Sequence, residues 1–122
     1  MINQIKFIRW NSFVLILKKR PIHYFFESKG IQTYFNINNI IDWHLLLIFT
    51  HNNDGLTNSF YLYKKNKKAL LGIVPWDYNH SFGTDGDNEP HTPEIIDECH
   101  NTLFNRLIDN PTYKEKLKAR FQ

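Results

Sequence analysis

The sequence predicts an α+β fold in which helices pack around a single β-hairpin. Three observations carry this reading. Ile37, Ile40, Ile41, His44, Leu45 and Ile48 recur at helical spacing, so a helix over 38–50 lays one face on a core. Two short aromatic and aliphatic runs, 59–63 and 69–74, flank a Lys/Asn-rich tip at 64–68, the pattern of a hairpin. Beyond residue 100 the chain returns to helix, at 101–109 and again from Pro111, which suits a helical first position.

The elements follow in order. Residues 3–19 mix apolar and basic positions up to Pro21 and read as a buried helix, although Val14, Ile16 and Leu17 also suit a strand. The apolar run 12–17 is too short to span a bilayer and leads into Lys18-Lys19-Arg20 without a small-residue cleavage site. Asn36 or Asn38 can cap the central helix, because a short side chain there accepts from free N–H groups of the first turn. Leu46 and Leu47 widen its apolar surface, which points to deep burial. A polar loop over 51–58 precedes the hairpin, and 84–93 carries the strongest loop signals in the chain.

Composition bounds the function. The chain has 122 residues, 42% hydrophobic and 22% charged, which is globular material and enough for one domain or part of one. A net charge of +3 comes largely from Lys18-Lys19-Arg20 and the hairpin tip, and no nucleic-acid reader motif accompanies it. The partners expected therefore include neither nucleic acid nor a membrane span. A single cysteine, Cys99, excludes an internal disulfide.

The chemistry concentrates at the two ends of the hairpin. Asp54 and Asn58 precede it, and Asp77 follows it in Val74-Pro75-Trp76-Asp77-Tyr78-Asn79-His80-Ser81-Phe82-Gly83. A hairpin returns its ends to one place, so residues 23 positions apart become neighbours. Two carboxylates and an amide oxygen are hard donors that suit Mg²⁺ or Mn²⁺ better than zinc. Protein kinases order their parts likewise: a catalytic-loop Asp, a metal-binding Asn, a hairpin, then a metal-binding Asp before Phe-Gly. Here Asn58 lies four residues after Asp54, one fewer than in that pattern, and four residues separate Asp77 from Phe82-Gly83.

Three segments resemble the CotH (spore coat protein H) kinase family of atypical secreted protein kinases. Ile40-Ile41-Asp42-Trp43-His44-Leu45-Leu46-Leu47 is similar to the helix before its catalytic loop. Asn53-Asp54 with Asn58 and Phe60-Tyr61-Leu62-Tyr63 resembles the loop and the strand after it. The stretch from Pro75 to Gly83 resembles its Trp-Asp-x-Asp-x-x-Phe-Gly signature. The resemblance covers 36–83 well and 101–121 more weakly. It implies a partial atypical protein-kinase-like C-terminal lobe, with Asp54 as the catalytic carboxylate and Asp77 as principal metal ligand. Asn58 becomes a second metal or phosphate contact. Mg²⁺ or Mn²⁺ and ATP are the implied cofactors, a protein hydroxyl the acceptor, and the spore or cell surface the implied location. Where the family commonly has Asp, this chain has Asn79, which keeps a carbonyl donor but removes a negative charge near the metal.

Such kinase domains run to roughly 250 residues and grip the nucleotide phosphates with an N-terminal lysine. Upstream of the central helix stand only 36 residues, with no glycine-rich loop. The expectation is one partial domain over 1–122, lacking the N-terminal nucleotide-binding lobe.

Structural roles account for the neighbouring residues. His44 on the apolar face reads as a core histidine, and His51 as a helix-end residue. His80 sits among oxygen donors, which argues against zinc. Trp76 reads as a core aromatic that also buttresses the Asp77 loop. Asp85, Asp87 and Glu89 alternate like a calcium loop but lack the Gly and terminal Glu at the required positions. His91 and His100 are too far apart to form a site. Two functions of different class follow: a phosphotransferase module, or a non-catalytic coat or cell-surface binding module on the same core.

Overall fold

The computed structural model describes residues 30–52, 54–57, 59–83 and 102–122. The helix expected over 3–19, the loop 84–93, Cys99, His91, His100 and the candidate ligand Asn58 lie outside the described residues. A 3₁₀ turn at Ile31–Thr33 leads into α1 (Ile37–Thr50), then a helical turn α2 (Asp54–Thr57). Strands β1 (Phe60–Tyr63) and β2 (Gly72–Pro75) follow, and α3 (Thr102–Ile108) and α4 (Pro111–Phe121) close the chain. The fold is α+β, as expected: among the described residues, helices pack around one antiparallel two-stranded hairpin.

Helix α1 begins where the Asn36 side chain accepts from the Asn39 N–H at 3.2 Å. Its buried stripe is Ile40, Ile41, Trp43, His44, Leu47 and Thr50. Relative to the expected face, that stripe is turned by roughly 80° at 100° per residue. Leu45 and Ile48 are consequently only half-buried, Leu47 is buried as expected, Leu46 is exposed rather than deeply buried, and Phe49 is exposed as well. The cause is Trp43, whose indole packs edge-on against Phe60 of β1 (5.6 Å between centroids) and Phe104 of α3 (5.9 Å). An aromatic wedged between hairpin and helix fixes the rotation of α1, and a count of aliphatic residues does not register it.

The hairpin pairs Phe60 with Pro75 and Leu62 with Ile73. One step further the ladder continues as Trp76 N–H donates to the Ser59 carbonyl at 3.0 Å. That alternation puts Pro75 at a position with no bond towards β1, where its missing N–H costs nothing. The outer edge of β2 is covered: Leu71 exchanges backbone bonds with Tyr34 (2.7 Å) and Asn36 (2.8 Å), and the Asn39 amide takes the next position, at Ile73. The connection is longer than the expected five-residue tip. Asn66 Oδ1 accepts from the N–H groups of Lys68 and Ala69, both at 2.9 Å, and this turn delays pairing until Gly72. Gly72 faces Tyr63, whose ring occupies the space a β-carbon would need.

Helices α1 and α4 are joined at two heights. His44 Nδ1 and the Tyr113 hydroxyl share a hydrogen bond of 3.0 Å inside the core. Arg120 forks onto the Asp42 carboxylate at the surface, with contacts of 2.9 and 3.2 Å. Helix α4 starts as expected, at Pro111, with Asn110 as its cap.

Candidate functional site

The loop expected after α1 begins with a tight helix stop. His51 takes the left-handed conformation (φ 53°), its N–H reaches the Ile48 carbonyl at 3.2 Å, and Asn52 N–H reaches Leu47 at 3.0 Å. These are the paired bonds of a Schellman stop, with histidine where glycine is commonest. Its role is structural, as the sequence reading holds.

The loop then coils once instead of staying irregular. Buried Asn52 accepts the Gly55 N–H at 2.7 Å through Oδ1, which starts the helical turn α2. Gly55 is required there, because a β-carbon would collide with the Leu47 side chain and crowd Asn52 Oδ1 at 3.1 Å. The coil presents Asp54 at its first position. Ser59 then holds the aspartate twice: its hydroxyl donates to Asp54 Oδ2 and its N–H to the Asp54 carbonyl at 2.9 Å.

Ser59 also links the two ends of the hairpin, because its own carbonyl takes the Trp76 N–H. Asp54, Ser59 and Trp76 thus form one hydrogen-bonded chain, and Asp77 is the next residue. Asp77 is exposed in the left-handed region (φ 51°), a conformation Asp tolerates better than most residues. Among the described residues its carboxylate meets no hydrogen-bond or ion-pair partner.

Trp76 departs from expectation. It is 61% exposed and packs edge-on against Tyr61 (5.4 Å), which is itself at the surface. Its position opposite Ser59 in the ladder turns its side chain to the outer hairpin face, so it is no core buttress. That task falls to Thr50 and Tyr78. The Thr50 hydroxyl donates to the Leu46 carbonyl at 2.7 Å, so the Tyr78 hydroxyl, 2.7 Å away, is the donor to Thr50. The Phe82 N–H bonds the Thr50 carbonyl at 2.6 Å, and the Ser81 hydroxyl bonds the Tyr78 carbonyl at 2.6 Å. The segment bearing Asp77 and Asn79 is therefore pinned to the end of α1. Phe82 (φ 56°) and Gly83 (φ 85°) make the expected exit turn.

Sequence reasoning passed over Asn52, Thr50, Ser59 and Tyr78. Only Asn52 carried a local signal, an Asn three residues before Gly that can cap a turn. No group of three or more His, Cys, Asp or Glu side chains converges on a metal position among the described residues. Asp54 and Asp77 are the carboxylates at the two ends of the hairpin, the first held by Ser59 and the second exposed. None of the described helices is long and apolar enough to cross a membrane.

The CotH kinase protein family model matches residues 10–122. The chain is also similar to inner spore coat protein H of Bacillus subtilis (strain 168), 26% identical over 94 residues. That match covers 76% of this chain and 26% of the relative, so the chain spans about a quarter of the relative's length. The matched region takes in the helix α1, the hairpin and the loops that hold Asp54 and Asp77, and the chain belongs to the CotH family.

Proposed function

We propose that this chain carries the aspartate-bearing half of a Mg²⁺–ATP-dependent phosphotransferase domain that, when complete, acts on a protein hydroxyl. The observation that supports this most is the chain of hydrogen bonds from Asp54 through Ser59 to Trp76, which ties the two aspartate-bearing segments together. In this reading Asp77 is the principal metal ligand, with Asn79 and Asn58 as carbonyl donors. Its exposure, and the lack of a partner among the described residues, leave the Asp77 carboxylate ready for such a role. Bound Mg²⁺ (or Mn²⁺) supplies neutralisation of the phosphate charge. Asp54, held by Ser59, orients the acceptor hydroxyl and takes its proton. With few protein ligands in this reading, the chain is expected to hold nucleotide with modest affinity.

A second reading is a non-catalytic binding or assembly module at a spore or cell surface. Two observations favour it: the relative's name is that of a spore coat protein, and Asn79 lowers the negative charge beside Asp77.

Isothermal titration of the folded chain with ATP, with and without Mg²⁺, separates the two. Metal-dependent binding that disappears in Asp77→Ala is the expected result. Absence of binding by the folded wild type turns the assignment to the second reading.

A further inference from the structure

We propose that the groove between α1 and α4 docks an acidic amphipathic helix of a protein partner. The groove encloses about 560 Å³. Leu45, Ile48 and Phe49 of α1 and Leu117 and Phe121 of α4 supply its apolar surface. Phe49 is 78% and Phe121 76% exposed, an arrangement that leaves two large aromatic side chains in water at one place. The turned face of α1 explains how this surface arises. Trp43 and Leu47 take the core side, and the Leu45–Ile48 flank is left over. On α4, Tyr113, Leu117 and Phe121 form one stripe at four-residue spacing that runs from the core out into the groove.

Charge selects the occupant. Lys114 and Lys118 stand one helical turn apart on the groove wall, His51 lines it too, and among the described residues no acidic side chain does. Asp42, on the outer side of α1, is already engaged by Arg120. An incoming helix with apolar residues at three- and four-residue spacing fills the floor, and acidic residues one turn apart meet the two lysines. A second copy of this chain fits less well, because it brings lysines of its own to any self-paired groove. A concave groove also receives a ridge of side chains better than a flat lipid surface does. None of Asp54, Asp77 and Asn79 lines the groove, so this proposal stands apart from the phosphotransferase reading.

Selection from a displayed random library of peptides about four helical turns long tests it, using the full chain with folding checked by circular dichroism. The expected winners place Asp or Glu beside apolar residues at helical spacing. Synthetic copies should bind roughly tenfold more weakly to Phe49→Ser and to Lys114→Glu/Lys118→Glu, both surface variants expected to keep the fold. Winners without acidic enrichment, or insensitive to both variants, overturn the proposal. So does a selection that yields no groove-dependent peptide. A chain that sediments with phosphatidylserine-containing vesicles through these lysines, and selects no such peptide, has a membrane-facing groove instead.

Discussion

The Asn39 side chain pairs with the backbone of Ile73 as a neighbouring strand would: Oδ1 accepts the Ile73 N–H at 2.6 Å and Nδ2 donates to its carbonyl at 3.2 Å. One amide on α1 thus closes the open edge of β2 and sets the height of the hairpin against the helix. The site depends on that height, because α1 ends at Thr50 and the chain leaves β2 at Pro75 to reach Asp77 two residues on.

Asn39→Ala leaves a half-buried strand N–H and carbonyl without their protein partner. The expected loss is about 1–3 kcal/mol, two modest hydrogen bonds with partial access of water. Urea unfolding followed by circular dichroism measures it. Asn39→Asp should recover part of the loss, since the carboxylate still accepts from Ile73 but no longer donates. Equal stability of all three proteins contradicts the edge-closing role.

The His44–Tyr113 pair makes stability depend on pH. Burial lowers the His44 pKa from 6.5 to about 4 and pushes the Tyr113 phenol up. The folded chain therefore keeps His44 neutral at pH values where the unfolded chain already binds a proton. Stability is full above pH 6.5 and falls as the pH drops towards 4, by up to about 3 kcal/mol from this residue. His44→Asn, which does not titrate, should be less stable at neutral pH but show a flatter profile between pH 6.5 and 5. Parallel profiles for the two proteins would falsify the assignment to His44.

Which parts were legible in the sequence follows from the range of the interactions involved. The Asn36 cap, the Pro111 start, the Phe82-Gly83 turn and the hairpin itself are local, and residues within a few positions of one another dictate them. The rotation of α1 is not local, because Phe60 and Phe104 determine where Trp43 goes. The outward turn of Trp76 depends on hairpin register, which the Asn66 turn lengthened by several residues. At the candidate site, the nearness of the two aspartate-bearing segments was legible from hairpin closure. The clamps that hold them were not, since Thr50–Tyr78 joins positions 28 apart through two side chains.

Gly55 is a packing requirement rather than a loop filler. Gly55→Ala drives a methyl group into the Leu47 side chain and against Asn52, the residue that starts α2. Overpacking of this kind costs about 1–3 kcal/mol. Because the strain falls on the turn that carries Asp54, the phosphotransferase reading predicts that any Mg²⁺–ATP affinity declines along with the melting temperature. Thermal melts and the titration described above check both, and an Ala variant as stable as wild type would show that the turn relaxes freely.

The left-handed residues separate structure from function at Asp77. Phe82 is 71% exposed at φ 56°, a conformation that costs an aromatic residue more than glycine, so Phe82→Gly should hold or raise stability by up to about 1 kcal/mol. Asp77→Gly suits its φ of 51° for the same reason and removes no hydrogen bond among the described residues. If Asp77 serves only the turn, the Gly variant should behave like wild type in every assay. If it is the metal ligand, the same variant stays folded and loses Mg²⁺-dependent ATP binding, while Phe82→Gly keeps it. Measuring melting temperature and Mg²⁺–ATP titration on both variants distinguishes the cases, and a fully active Asp77→Gly chain rules out the ligand role.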